Sequence, residues 1–121
     1  MPLSDIKVVD LTRILAGPFC TQLLADMGAD VIKIESPTGD PVREQGVTRD
    51  GMSWYFAQFN RNKKSVVLDL YTDEGKQTLA RLIEGADVLV ENYRPGVLDK
   101  MGFDQARLDA LKAWRQLRPS A

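Results

Sequence analysis

The segment from Thr12 to Pro18, which reads TRILAGP, joins a short β-branched run to an apolar helical stretch. A helix that begins after a tight Gly-Pro turn presents backbone N–H groups, and a phosphate often binds at such a helix start. The functional interpretation is that the backbone amides after Leu15 approach a nucleotide-like ligand, with Arg13 beside it as a cation. The alternative is that Gly17 and Pro18 simply cap the helix. Because the turn contains neither GxGxxG nor GxxxxGK, it is neither a dinucleotide fingerprint nor a P-loop.

Two further polar segments could contribute to such a site. Residues 61–64, RNKK, precede a predicted strand, and their cations either neutralise ligand phosphates or form a solvated loop. Residues 92–94, NYR, follow another predicted strand. There Tyr93 could offer its ring to an adenine while Asn92 hydrogen-bonds nearby, or these groups could face water. The residue pattern leaves both choices open.

The chain has no histidine and one cysteine, Cys20. These counts exclude histidine-based catalysis, an internal disulfide and a thiolate metal cluster within these residues, and no metal is predicted. Cys20 is interpreted as a small buried apolar residue. Two acidic pairs show no partner that would perturb them and are not assigned as acid or base: Asp69/Asp73 and Asp30/Glu35.

The composition is that of an ordinary globular protein and limits its partners. The 121 residues are 44% hydrophobic and 27% charged, with a net charge of −1. Because the charges are spread along the chain, no nucleic-acid or membrane partner is predicted. The apolar runs are far shorter than a bilayer-spanning helix, and residues 1–11 do not resemble a signal peptide. A cytoplasmic location and one domain, or part of one, are expected.

The hydrophobic pattern predicts strands that alternate with helices. Strands are predicted at 6–10, 30–35, within 61–70 and at 87–91. Helices are predicted from Pro18 to a left-handed Gly28, at 54–60, from the cap Thr72 to Gly85, and over 104–114 after the cap Asp104. The first helix is predicted to bury one apolar stripe: Phe19, Cys20, Leu23, Leu24 and Met27. Residues 36–53 are predicted to be a long loop, and the tail at 115–121 has no clear pattern.

This alternation indicates an α/β fold, a parallel sheet flanked by helices with right-handed crossovers. In such sheets, ligands bind beyond the carboxyl ends of the strands. Those ends fall near Asp10–Gly17, Glu35–Gly39, Asp69–Thr72 and Glu91–Gly96. The central expectation is that the strand ends near Thr12 and Asn92 come together to hold one ligand.

Three blocks of the sequence resemble the class III CoA-transferases, the family of carnitine-CoA transferase, formyl-CoA transferase and α-methylacyl-CoA racemase. The first block runs from Val8 as VVDLTRILAGPFCTQLLADMGADVIKIESPTGDPVR. The second is FNRNKKSVVLDL followed by TDEG, and the third is ADVLVENYRPGVLDKMGF. In order, the resemblance covers residues 3 to about 112.

The resemblance implies a Rossmann-like parallel sheet that is incomplete relative to the family. Residues 1–121 would be the N-terminal part of the large CoA-binding domain, with 113–121 as an atypical tail. The implied ligand of the turn is coenzyme A, carried in as acyl-CoA. Nine positions match CoA-contacting positions of the transferases: Arg13, Ile14, Leu15, Ala16, Leu68, Asn92, Tyr93, Lys100 and Met101. Ser36 falls where many members have an arginine for the CoA phosphates, and the sequence leaves open whether Lys33 or Arg43 replaces it.

The family moves CoA between carboxylic acids through an aspartate that attacks the acyl-CoA thioester and forms a mixed anhydride. CoA then attacks the anhydride to give an aspartyl thioester, from which the acceptor acid takes the CoA. The racemase branch uses a histidine and an aspartate instead. No acidic residue of this chain matches the nucleophile, which on this resemblance lies beyond Ala121. The chain alone is therefore expected to lack transferase and racemase activity.

The resemblance also implies a partner chain. Family members form an interlocked homodimer, and a second polypeptide supplying the missing part is the alternative. A four-stranded parallel sheet with an open edge would expose unpaired backbone groups that such a partner covers. Three rival functions stay open: a stand-alone α/β module that binds CoA or a nucleotide without chemistry, an inactive acyl-CoA racemase fragment, and a degenerate remnant without a ligand. The acyl donor and the acceptor acid are not specified by these residues.

Overall fold

The computed structural model describes residues 1–46, 48–49, 51–111 and 115–117. The strands are β1 (Lys7–Asp10), β2 (Asp30–Glu35), β3 (Thr48–Arg49), β4 (Met52–Ser53), β5 (Lys64–Val67), β6 (Val88–Val90) and β7 (Arg115–Leu117). The α-helices are α1 (Ala16–Asp26), α2 (Trp54–Asn60), α3 (Asp73–Glu84), α4 (Val97–Lys100) and α5 (Gln105–Leu111). A 3-10 helix spans Pro41–Glu44.

The four predicted strands pair in parallel in one sheet, which confirms the α/β fold. Strand β1 lies between β2 and β6, so that Val8 is opposite both Val31 and Val88. Strand β5 pairs with β2, and β7 pairs with β6, which gives the order β5-β2-β1-β6-β7. Strand β7 lies in the tail, for which the sequence predicted no element, and it gives β6 a neighbour on each side.

Helices cover both faces of the sheet, which explains why its strands read as apolar runs rather than as alternating patterns. One face packs on α3, α4 and α5 through Leu79, Ile83, Leu98 and Leu108. The other face packs on α1 and on the turn that follows it, where Val8, Val31 and Val90 meet Ala25 of the helix and Ala29 of the turn. Full burial of each larger aliphatic side chain stabilises the fold by about 1.5–3 kcal/mol.

Helix α3 forms as its sequence predicts. The hydroxyl of Thr72 accepts a hydrogen bond from the Gly75 amide at 3.1 Å, which caps the first turn. Leu79 and Ile83 are fully buried, and the helix ends at Gly85. The remaining predictions are partly confirmed. The helix at 54–60 is present, and α5 covers Gln105–Leu111 of the helix predicted over 104–114, whose last three residues lie outside the described part of the chain.

The start and the buried face of α1 differ from the prediction. The helix begins at Ala16 rather than at Pro18, and Gly28 ends it with a left-handed φ of 102° as predicted. Leu24 packs against the sheet, but Phe19 and Leu23 of the predicted stripe face away from it and are 48% and 46% exposed. The face that packs on the sheet carries Gly17, Pro18, Thr21, Gln22 and Ala25. Small and hydroxyl side chains occupy that face because the helix lies close to the buried polar end of β1.

The predicted long loop contains local structure. Residues 41–44 form a 3-10 helix capped by the side chain of Asp40, and β3 pairs with β4 as a short antiparallel hairpin. These elements place Asp40 beneath the turn that follows β1. Among the described residues, no helix combines the length and the apolar character needed to cross a membrane.

Candidate functional site

The turn between β1 and α1 is joined to the end of β6 by two hydrogen bonds. The backbone amide of Arg13 donates to Asn92 Oδ1 at 3.1 Å, and Asn92 Nδ2 donates to the Arg13 carbonyl at 3.0 Å. The side-chain amide of Asn92 therefore pairs with one residue of the turn much as a neighbouring strand would. The prediction that the strand ends near Thr12 and Asn92 come together is confirmed.

Ile14, the next residue of the turn, has a left-handed backbone with a φ of 74°. A β-branched residue in this region costs about 1–3 kcal/mol, and such strain persists only where surrounding contacts fix it. Here the Ile14 amide donates to both carboxylate oxygens of Asp40, at 3.1 and 3.2 Å. The left-handed conformation of Ile14 and its hydrogen bonds to Asp40 together direct the backbone from the turn into α1.

Two buried ion pairs lie beneath this turn. Lys63 Nζ is 3.0 Å from Asp10 Oδ2, and both side chains are at most 1% exposed. Lys33 Nζ is 2.8 Å from Asp40 Oδ2, and these side chains are each 1% exposed. Because a buried charge without a partner is costly, each pair has to form for the turn to pack as it does.

The same ammonium groups also hold the backbone of the turn. Lys33 Nζ donates to the Thr12 carbonyl at 3.3 Å, and Lys63 Nζ donates to the Pro18 carbonyl at 3.1 Å. Asp10 accepts from the amide and the hydroxyl of Thr12. Burial lowers the pKa of Lys63, whereas the negative charge of Asp10 acts to raise it. The two lysines therefore support both ends of the turn from inside the protein.

Thr21 of α1 joins the helix to this network. Its hydroxyl donates to Asp10 Oδ2 at 2.7 Å.

Cys20, the neighbouring residue, is half-buried rather than buried, so the prediction that it is a buried residue was wrong. Burial raises the pKa of the Cys20 thiol, and the negative charge of Asp10 raises it further. The thiol of Cys20 therefore stays protonated at neutral pH.

A cleft of about 470 Å³ opens above the turn. The residues that line it come from the turn and from the segment after β6: Arg13, Ile14, Leu15, Ala16, Asn92 and Arg94. The guanidinium of Arg13 lies 5.8 Å from the centre of the Tyr93 ring, within reach of a cation–π contact. Burial raises the pKa of Tyr93, so its hydroxyl stays protonated at neutral pH. The cleft offers two cations, an amide side chain and exposed aliphatic groups to a ligand.

The other predicted site residues lie apart from this cleft. Leu68 lines a separate depression at the start of α3, and Met101 lines a third one between α3 and α5. The side chains of Leu68, Tyr93 and Met101 all pack against the same apolar core. Lys100 is exposed at the end of α4. The structure thus brings five of the nine predicted positions to one cleft, with Tyr93 behind it.

The predicted basic segment RNKK does not form one phosphate-binding loop. The side chain of Lys63 is buried in the network under the turn, as described above. Arg61 Nη2 is 2.9 Å from Asp26 Oδ2, and Lys64 Nζ is 3.3 Å from Asp30 Oδ1, both at the surface. The chain reverses direction here through Asn62, which has a φ of 65°. Neither the ligand interpretation nor the solvated-loop interpretation describes Lys63.

The question left open at Ser36 has a structural answer for both basic candidates. Ser36 is exposed, and its hydroxyl lies 3.0 Å from that of Thr38. Lys33 is buried against Asp40, and Arg43 forms two hydrogen bonds of 2.8 Å with Glu35. Lys33 is therefore enclosed and cannot reach a phosphate outside the protein, whereas the Arg43 side chain is 38% exposed and is bonded to Glu35 through only part of its guanidinium.

The prediction that the pair Asp30/Glu35 lacks partners was wrong. Besides its two bonds from Arg43, the Glu35 carboxylate accepts from the Asp40 amide and from the Ser65 hydroxyl. The Arg43 bonds make the largest contribution in lowering the pKa of Glu35 to about 2, against an opposing contribution from burial. Glu35 thus ties β2 to β5 and to the 3-10 helix.

We expect this carboxylate to make stability depend on pH at the acidic end. Because the pKa of Glu35 is lower in the folded state, its stabilisation is complete above about pH 4.5 and is lost as the pH falls toward about 2. Arg43 is partly exposed, and screening by solvent reduces the expected loss to about 1–2 kcal/mol. Urea unfolding between these pH values measures it. In a Glu35→Gln variant the free energy of unfolding should change less with pH over this interval. An unchanged pH dependence would show that Glu35 is not its source.

The chain belongs to the family described as CoA-transferase family III, whose sequence model matches residues 3–113. It is 48% identical over 112 residues to the succinyl-CoA–D-citramalate CoA-transferase of Chloroflexus aurantiacus, covering 91% of this chain and 28% of that protein. It is 47% identical over 111 residues to the formyl-CoA:oxalate CoA-transferase of Rhodopseudomonas palustris, covering 90% of this chain and 26% of that protein. The resemblance seen in the sequence is confirmed, and it concerns the N-terminal portion of those proteins.

A solved structure shows the same backbone arrangement. The chain superimposes on a CaiB/BaiF family protein from Brucella suis with a TM-score of 0.87 and 46% sequence identity. The match covers 93% of this chain and 31% of that one. The chain therefore spans between about a quarter and a third of the length of these relatives.

Proposed function

We propose that this chain supplies part of the coenzyme A site of a CoA-transferase, as the N-terminal part of its large α/β domain. The observation that carries the proposal is the joining of the Arg13–Ala16 turn to Asn92 by two hydrogen bonds at the mouth of one cleft. In a parallel sheet this edge is where ligands bind. The proposal assigns coenzyme A to it because the named relatives act on CoA esters.

The groups in the cleft suit a ligand with phosphates and a long thiol-bearing arm. Arg13 and Arg94 would neutralise phosphate charge, and the first amides of α1 would donate to acceptor groups. The exposed side chains of Ile14 and Leu15 would lie along the less polar arm. Leu68, Lys100 and Met101 are proposed to contact the parts of the ligand that extend past the cleft.

For the whole protein we propose the transfer of CoA between carboxylic acids through an aspartyl anhydride. An aspartate carboxylate outside this chain would attack the thioester carbonyl, which breaks the carbon–sulfur bond and releases the CoA thiolate. The two carboxylates under the turn do not fit this role, because Asp10 and Asp40 are buried, paired with lysines and bound to backbone donors. The residues described here would bind and orient CoA.

The surface of α1 supports a proposed partner for this face. Large apolar side chains that face outward from α1 and α2 include Phe19, Leu23, Met27, Trp54 and Tyr55. Phe19 and Phe59 make an edge-to-face contact at 5.9 Å, so the two helices form one continuous surface. We propose that the remainder of the large protein, or a second chain of an interlocked dimer, covers it.

Calorimetric titration of the chain with CoA tests the binding proposal. We expect CoA to bind, and Asn92→Ala to weaken binding by about tenfold because Arg13 loses both side-chain hydrogen bonds that fix it. Arg13→Ala should also weaken binding, whereas Arg61→Ala removes a surface cation elsewhere and should leave it unchanged. Adenosine phosphates alone should bind more weakly. Absence of heat with millimolar CoA, or equal affinity in the Asn92 variant, would refute the proposal.

A further inference from the structure

Asp40 holds the turn from a distant part of the sequence, and the proposed CoA contacts do not include it. We infer that Asp40 is a positioning residue, whose carboxylate clamps the Ile14 amide and so preforms the turn that receives CoA. The inference rests on the proposed function for its ligand. Its geometric part concerns the free protein and can be tested without any ligand.

The contacts of Asp40 converge from three segments of the chain. Its carboxylate accepts from the Ile14 amide at 3.1 and 3.2 Å, from Lys33 Nζ at 2.8 Å and from the Val42 amide at 3.0 Å. The residue is 3% exposed. A carboxylate in such surroundings is held firmly, because three donor groups bind it and burial keeps competing water away.

A purely local role does not account for these contacts. Capping the 3-10 helix requires only the bond to Val42, which lies two residues further along the chain. The bonds to Ile14 span 26 residues and reach the turn residue with a left-handed backbone. Since that conformation is unfavourable for isoleucine, an acceptor placed on its amide is what keeps the turn in this state.

Lys33 extends the clamp to the other side of the turn. Its ammonium group binds both Asp40 Oδ2 and the Thr12 carbonyl, at 2.8 and 3.3 Å. Asp40 therefore fixes Ile14 directly and Thr12 through Lys33. Leu15 and Ala16 are the next two residues of the chain, so the directions of their amide N–H groups depend on the backbone conformation of Ile14.

Loss of the clamp should lower the population of the receptive turn. Apparent affinity falls in proportion to the fraction of molecules in the competent state. If the released turn occupies this state in about one molecule in ten, the dissociation constant for CoA rises about tenfold.

The test compares two variants that differ in one acceptor. Lys33→Met/Asp40→Asn removes both charges but keeps a side-chain oxygen for the Ile14 amide. Lys33→Met/Asp40→Ala removes the charges and the acceptor. Neither leaves an unpaired buried ammonium group, which a single Asp40 substitution would do. Ile83→Val, in the core under α3, serves as a control for a modest loss of stability.

Hydrogen exchange of the Ile14 amide in the free protein gives the first readout, and calorimetry with CoA the second. We expect the alanine variant to exchange at Ile14 at least about tenfold faster than the asparagine variant, with about tenfold weaker CoA binding. The Ile83 control should change neither. Equal Ile14 exchange in the two double variants would overturn the inference, even if CoA binding stands. If no variant or wild type binds CoA, the proposed function fails, and the exchange rates still decide the role of Asp40.

Discussion

Replacing Asp10 with alanine is expected to lower the free energy of unfolding by about 3–5 kcal/mol. The substitution leaves the buried ammonium of Lys63 without its carboxylate, which lies 3.0 Å away in the native protein. It also removes the acceptor of Thr12 and of the Thr21 hydroxyl. Urea denaturation followed by circular dichroism measures the loss. A loss below about 1 kcal/mol would show that the pair is hydrated rather than buried.

A double substitution separates the pair from its surroundings. In Asp10→Asn/Lys63→Met both charges are absent and most of the side-chain volume remains. We expect this double variant to lose less unfolding free energy than the sum of the losses in Asp10→Asn and in Lys63→Met, by at least about 1 kcal/mol. The reason is that each single variant leaves a buried charge unpaired and the double variant leaves none. Additive effects would contradict a direct coupling between Asp10 and Lys63.

The second large effect is expected from Gly17→Ala. A Cβ at this position would lie 2.6 Å from Thr12 Cγ2 and 3.1 Å from Asn92 Nδ2. Thr12 is fully buried and hydrogen-bonded to Asp10, so it has no room to move away. The turn itself has to shift. We expect a loss of about 1–3 kcal/mol in unfolding free energy and at least about tenfold weaker CoA binding.

Gly85 provides the matched control for this substitution. It ends α3 with a φ of −89°, which alanine adopts readily, and the nearest atoms to a new Cβ are at 3.8 Å. Gly85→Ala should therefore change stability by less than about 0.5 kcal/mol and leave CoA binding unaltered. Normal CoA affinity in Gly17→Ala would contradict the placement of the ligand at this turn.

Regular periodic features of the chain made much of the fold predictable. The alternation of β-branched runs with capped helices indicates the parallel sheet. Thr72 begins one helix and Gly28 ends another, as their residue types suggest. The prediction for α1 failed because the apolar side chains Phe19 and Leu23 lie on its exposed face. The pattern of Phe19 and Leu23 reports an amphipathic helix but does not tell whether the protein's own sheet or another surface covers the apolar side.

The sequence predicted which strand ends form the site, but it did not predict the buried lysine–carboxylate pairs that hold the turn in place. Strand order brings Thr12 and Asn92 together once β1 and β6 are neighbours. The buried pairs depend on long-range packing that no local pattern specifies. One signal was available: Lys33 stands inside DVIKIE, a strand expected to be covered on both faces, where a lysine requires a buried carboxylate. The sequence did not indicate that this partner is Asp40.

CoA binding at the turn between β1 and α1 is measured most directly by titrating ¹⁵N-labelled protein with CoA and following the amide chemical shifts. We expect the largest shifts at residues 13–16 and 92–94, and we expect them to be lost together in Asn92→Ala. Shifts confined to the depression between α3 and α5, or no shifts at millimolar CoA, would contradict it.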